Sequence, residues 1–143
     1  MPKRIRTFVD SGVLLYAARG NEQLAGRALQ VLDDPDRTHV TSEFVRLEVL
    51  PKPLFHRQAA EAEFYLKFFE NADRLIRATS ALVAEAQAEA ERSGLSAIDA
   101  LHVAAARRGR CDELVTTETT TKPLFRVTGI RIVSIHLSSG QIA

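Results

Sequence analysis

A chain of 143 residues, 45% hydrophobic and 26% charged, buries about two-thirds of its unfolded surface and needs no structural metal or disulfide to fold. The net charge of +1 excludes an overall basic field, and the local clusters Lys3, Arg4, Arg6 and Arg107, Arg108, Arg110 read as solvated surface. The single Cys111 excludes an intramolecular disulfide and suits a reducing cytoplasm, no apolar run approaches the roughly 20 residues of a membrane span, and the basic start without an apolar stretch is not expected to act as a signal peptide.

In chain order, "IRTFV" (5–9) predicts a short buried strand that stops at Asp10-Ser11-Gly12. A helix follows over 13–18, then another over 22–34, where Leu24, Ala28, Val31 and Leu32 keep helical spacing until Asp33-Asp34-Pro35. "THVTS" (38–42) is a second strand, and 43–50 a helix stopped by Pro51. The stretch 56–72 is amphipathic, with Phe64, Leu66, Phe68 and Phe69 supplying bulk as core or dimer contacts in preference to base-stacking platforms. "RLIRA" (74–78) is a weak third strand. Helices are expected over 80–94, ended by Gly94, and over 96–109. Strands at 113–117 and 130–135 close the chain. Strands and helices alternate with no repeat or linker, which predicts one domain over 1–143 built as a parallel α/β sheet with helices on both faces. In such sheets ligands bind at the carboxyl ends of the strands.

Four acids stand out against that edge. Asp10 directly follows the first strand, where helix capping and ligation are both open. Glu48 is placed by a wheel of about 100° per residue between Phe44 and Val45, with Arg46 opposite. A carboxylate inside an apolar arc needs compensation, and Lys52 beyond Pro51 is a doubtful partner. Asp99 sits three residues after Ser96 as in a capping box, and an acid suits the first turn of a helix. Yet its neighbours on the wheel, Val103 and Ala106, form no polar face. Glu118 follows "ELVTT" at the carboxyl edge, where taken alone it reads as a solvated loop residue. Together the four come from four separate elements, and like charges gathered at one edge would repel. A hard divalent cation such as Mg²⁺ or Mn²⁺ resolves that repulsion with oxygen ligands and can activate water against a phosphodiester. Asp33, Asp34, Glu61, Glu85 and Glu89 read as solvent charge, and Asp112 falls at the opposite end of its strand.

The ordered segments "TFVDSGVLLYAARG", "THVTSEFVRLEVL", "GLSAIDALHVAAA" and "ELVTTE" resemble the PIN-domain ribonucleases, specifically their VapC-like toxin group, over roughly residues 5 to 135. The resemblance implies a three-layer α/β/α sandwich with a central parallel sheet. It implies a Mg²⁺- or Mn²⁺-dependent endoribonuclease whose catalytic and metal-holding acids fall on Asp10, Glu48, Asp99 and Glu118. Ser11 matches the small polar residue after the first acid, and Thr116 the Thr two places before the fourth. A small cognate antitoxin, an RNA substrate, a homodimer and a cytoplasmic location are implied with it. The fourth acid is usually Asp in that family and is Glu118 here. Lys122 either meets phosphate or neutralises Glu118. His102 reads as a hydrogen-bonded core histidine, since metal-assisted hydrolysis requires no general-base histidine.

Three other classes compete with this one. A catalytically inert PIN-like module that binds RNA or protein would lack one or more of the acids, and all four positions are acidic. A haloacid-dehalogenase-type phosphatase would need a second acid two residues after Asp10, where Gly12 stands. A phospho-receiver domain would need further acids beside the first strand, and residues 5 to 9 supply none.

Overall fold

A computed structural model describes residues 3–136. The elements are β1 (Ile5–Val9), α1 (Ser11–Arg19), α2 (Glu22–Leu32), β2 (Arg37–Ser42), α3 (Glu43–Val49), α4 (Pro51–Phe55), α5 (Ala59–Asn71), β3 (Arg74–Ile76), α6 (Ser80–Ser93), α7 (Ala97–Arg108), β4 (Glu113–Thr116) and β5 (Arg131–Ser134), with a 3₁₀ turn at Pro123–Arg126. The strands form one sheet in the order β3-β2-β1-β4-β5, and every pairing is parallel. Parallel neighbours need crossovers, and those crossovers are right-handed. Moving outward from β1 to β2 to β3 therefore lays α1 to α5 on one face. The return from β3 to β4 lays α6 and α7 on the other. The result is the α/β/α sandwich.

Burial on both faces explains the strand sequences. Phe8, Val9, Val40, Leu114 and Val115 are fully buried, and the layers above and below contribute Val13, Leu14, Val45, Tyr65, Leu82, Val103 and Ala105. The small residues of "AAA" (104–106) are buried along α7, which lets that helix pack closely against β2 and β4. Gly94 takes φ 67°, the left-handed conformation that ends α6 without a Cβ penalty.

Three details depart from the sequence pattern. Pro51 ends α3 but opens α4, because a proline at the first helical position loses no hydrogen bond. The long helix starts at Ala59 and not at 56, since Arg57 adopts φ 54° in the turn before it. Along that helix Tyr65 is fully buried, while Phe64, Phe68 and Phe69 are half-buried against the core and Leu66 is exposed.

Of the two basic clusters, Lys3, Arg4 and Arg110 are exposed, whereas Arg6, Arg107 and Arg108 hold structure together. Arg6 donates to the Gly109 carbonyl through Nε and Nη2 and pairs with Asp73 at 3.0 Å. Arg108 grips Glu85 through both carboxylate oxygens. Glu89 was grouped with solvent charge, and the structure corrects this: it is 1% exposed, held by Arg107 at 2.7 Å, Arg92 at 2.9 Å and Ser93 at 3.1 Å. Helix α7 packing onto α6 covers Glu89 and brings Arg107 to it from 18 residues away in sequence. Among the described residues no helix is long and apolar enough to cross a membrane.

Candidate active site at the carboxyl edge of the sheet

The strand register aligns a row of polar residues. Continuing the pairing beyond Phe8–Val40 and Val9–Val115 sets Asp10 level with Ser42 and Thr116, and Thr116 pairs with Ser134. All four are buried, Asp10 being 7% exposed and the others fully covered. This is the edge at which parallel sheets open to ligands.

Asp10 is fixed on both sides. It is the N-cap of α1, one carboxylate oxygen accepting from the Val13 amide at 3.2 Å. The other accepts from the Thr116 hydroxyl at 2.6 Å. Neither donor is a cation. Burial pushes its pKa from 3.8 to about 6, with the nearby Asp99 charge pushing the same way, against the Thr116 and Val13 hydrogen bonds and the attraction of His102. Gly12 belongs to the same corner: a Cβ there would collide with the Thr117 side chain, so the loop after β4 closes over the start of α1 only with glycine at this position.

Asp99 occupies the first turn of α7. Ser96 caps that helix, its hydroxyl accepting from the Asp99 amide at 3.4 Å. Among the described residues the Asp99 carboxylate makes no hydrogen bond or ion pair, so the reciprocal half of a capping box is not formed. Its charge is felt at Asp10.

Glu48 differs from its expected place. It is not sunk in an apolar arc: its side chain is 36% exposed, and the neighbouring Leu47 is 69% exposed. Val45 and Val49, four residues apart, are the buried residues of the short α3, with Phe44 half-buried against the core. Glu48 stands at the rim of that narrow stripe, yet it has the compensation its surroundings require. One carboxylate oxygen accepts from the Ser11 hydroxyl and lies 3.0 Å from His102 Nε2. Partial burial pushes the Glu48 pKa up, but the hydrogen bonds from His102 and Ser11 together outweigh it and hold the carboxyl below its ordinary range.

Glu118 is tied through its backbone. Its amide donates to Thr116 Oγ1 at 3.0 Å, and its carbonyl accepts from the Ser134 hydroxyl at 2.7 Å. Thr116 therefore links the Asp10 carboxylate to the backbone of residue 118. The Glu118 carboxylate has no partner among the described residues, and Lys122 forms no ion pair with it. The structure thus brings Asp10 and Asp99 into electrostatic contact. It ties Glu48 to the same corner through Ser11 and His102, and leaves Glu118 attached by main chain only.

Two participants escaped the sequence pattern. Ser134 carried no signal, because a serine near a strand end is unremarkable. The His102–Glu48 hydrogen bond had one: two polar residues lay alone on otherwise apolar helix faces, and each is the other's partner.

All four acids offer hard oxygen donors, which suits a hard divalent cation. Among the described residues, no three or more His, Cys, Asp and Glu side chains form a group that could hold a metal ion. The donor set fits an ion of the Mg²⁺ type, which keeps several waters and binds through one or two carboxylates.

Fold and site define a parallel α/β sandwich with an uncompensated buried acid at the carboxyl edge of its central strand. The sequence profile of the PIN domain matches residues 7–122, and the chain belongs to that family. No curated protein matches it in sequence. Its fold is similar to those of a toxin–antitoxin complex from Klebsiella pneumoniae (TM-score 0.67, 20% identity, 90% of this chain and 97% of that one) and of VapBC2 from Rickettsia felis bound to a DNA fragment from their promoter (0.65, 14%, 91% and 98%). It is also similar to VapC20 of Mycobacterium tuberculosis, a toxin that cleaves the sarcin–ricin loop (0.59, 19%, 76% and 86%).

Proposed function

We propose that this protein is a Mg²⁺- or Mn²⁺-dependent endoribonuclease, acting as one PIN domain over residues 1–143 and as the toxin of a toxin–antitoxin pair. The observation that carries the reading is Asp10: a buried carboxylate at the carboxyl edge, raised to about 6, with a second acid beside it and no cation to offset it. A divalent ion held there would polarise a phosphodiester and make water a nucleophile near neutral pH.

The chain's own residues do the rest. Asp10 and Asp99 hold the ion, and Thr116 and the Val13 amide keep Asp10 in one orientation. Glu48 reaches the same corner from α3, and Glu118 from the loop after β4. The substrate is RNA, the partners a small cognate antitoxin and a second copy of the chain, and the setting the cytoplasm. These assignments draw on the family and on the toxin complexes to which the fold is similar.

The test is cleavage of labelled RNA by the purified protein with Mn²⁺, with Mg²⁺ and with EDTA, beside Asp10→Asn. Cleavage that needs the metal and vanishes in the variant is expected. Cleavage that survives EDTA or Asp10→Asn overturns the mechanism. Specific Mn²⁺ uptake without cleavage of any RNA would leave a PIN-like binding module instead.

A further inference from the structure

We infer that His102 is a positioning residue, holding Glu48 at the metal corner by a hydrogen bond that crosses the sheet edge from one helical layer to the other. The inference rests on the metal-dependent reading and names the group that orients Glu48 within it.

The two side chains come from opposite layers: Glu48 from α3, which packs with α1 and also meets α7, and His102 from α7, which packs on β2 and β4. His102 is 4% exposed and lies against the Phe8 ring, 5.8 Å between centroids. Packing therefore fixes the ring before any hydrogen bond is made. Its Nδ1 is buried with no partner, while Nε2 faces Glu48 at 3.0 Å. A carboxylate only accepts, so Nε2 must carry the proton.

The direction of support also follows. Glu48 is the more exposed partner, on a short helix and partly open to solvent. His102 is the buried one. The Ser11 hydroxyl and Nε2 converge on the same oxygen, Oε1. Among the described residues Oε2 has no partner. Two donors on one oxygen leave the other free, and the free oxygen is the one a cation can take. This is the support that ligating carboxylates draw from outer hydrogen-bond partners. On α7, Asp99 and, one turn on, His102 then have separate parts: one supplies charge to the corner, and the other aims a charge supplied from across the sheet.

The experiment compares Mn²⁺ binding by calorimetry in the parent, His102→Leu, His102→Gln and Asp10→Asn, with thermal melts in EDTA as the fold control. Leu keeps the apolar packing on Phe8 and removes the donor, while Gln restores an N–H near the position of Nε2. His102→Leu is expected to bind Mn²⁺ about 10- to 100-fold more weakly, with its fold intact, and His102→Gln to recover most of that loss. His102→Leu binding as tightly as the parent, or Leu and Gln losing equally, would show that His102 only fills space. A parent that takes up no Mn²⁺, or an Asp10→Asn variant that takes it up unchanged, would sink the metal reading itself and this inference with it.

Discussion

At the amino end of β4, Glu113 is 1% exposed and accepts from Arg37 at 2.7 Å and from the Thr7 hydroxyl at 2.7 Å. Between α6 and α7, Glu89 is equally buried and takes two arginines and a serine. At the carboxyl end of β1, Asp10 is buried almost as deeply and receives a hydroxyl and an amide but no cation. The same chain therefore treats its buried acids in two ways. Where the carboxylate serves the fold, arginine repays the desolvation cost of burying charge. Where it faces the edge that opens to ligands, the repayment is withheld, and the pKa rises to about 6. An acid left in deficit at that edge is what a cation from outside would satisfy.

The comparison breaks most visibly through activity. Asp10→Asn and Asp99→Asn remove charge from the corner that lacks a cation, and each is expected to lower the cleavage rate by at least about a thousandfold, some 4 kcal/mol on the barrier. Single-turnover cleavage of labelled RNA in Mn²⁺ reads this directly. A variant that retains parental rates would mean the deficit at Asp10 has no functional use.

The structural acids should answer in stability and not in chemistry. Arg37→Met strands Glu113 without its cation, and breaking such a buried pair costs about 3–5 kcal/mol. Urea unfolding measures it. Residual folded protein should still bind Mn²⁺, because Arg37 is at the far end of the sheet. If Arg37→Met is neutral for stability, the distinction between paid and unpaid acids loses its basis.

Asp10 should show the reverse sign. Its folded pKa lies above its unfolded value of 3.8, so the folded state binds the extra proton between the two. That contribution is fully present below about pH 4 and is lost as pH rises through about 6. In metal-free protein, Asp10→Asn is then expected to be more stable than the parent above pH 6, by up to about 3 kcal/mol, with the gap closing toward pH 4. Urea midpoints at several pH values test it. Excess Mn²⁺ should close the gap from the other side, by stabilising the parent alone. A gap independent of pH would mean that the Asp10 charge carries no cost of burial.

The strands were legible because burial on both faces leaves near-continuous apolar runs, and β1 has the expected bounds. The acids Asp10 and Asp99 were legible because each interrupts such a run. Glu89 was not. Its helix is alanine-rich, so every polar residue on it looked solvent-facing, and only the packing of α7 reveals the arginine that covers it. Glu48 was read correctly as needing a partner but placed too deep. The wheel put it between Phe44 and Val45, whereas the seven-residue helix fully buries only Val45 and Val49. The partner itself, His102, lies 54 residues away on the opposite layer, a contact that no local spacing encodes.

The smallest expected effect separates two roles within the first turn of α7. Ser96 caps the helix by accepting from the Asp99 amide, so Ser96→Ala should cost about 1 kcal/mol of stability. The cleavage rate should stay close to the parent's, because the Asp99 carboxylate takes no part in that bond. Asp99→Asn keeps the amide the cap needs and removes the charge facing Asp10. It should leave the cap intact and relieve one source of the upward push on Asp10, while abolishing Mn²⁺ uptake. Chemical unfolding and calorimetry on the two variants give four numbers. The roles are separate if stability falls only in Ser96→Ala and metal affinity only in Asp99→Asn. If both variants lose the same stability and both keep the metal, Asp99 is a capping residue after all, and the uncompensated charge at Asp10 stands alone.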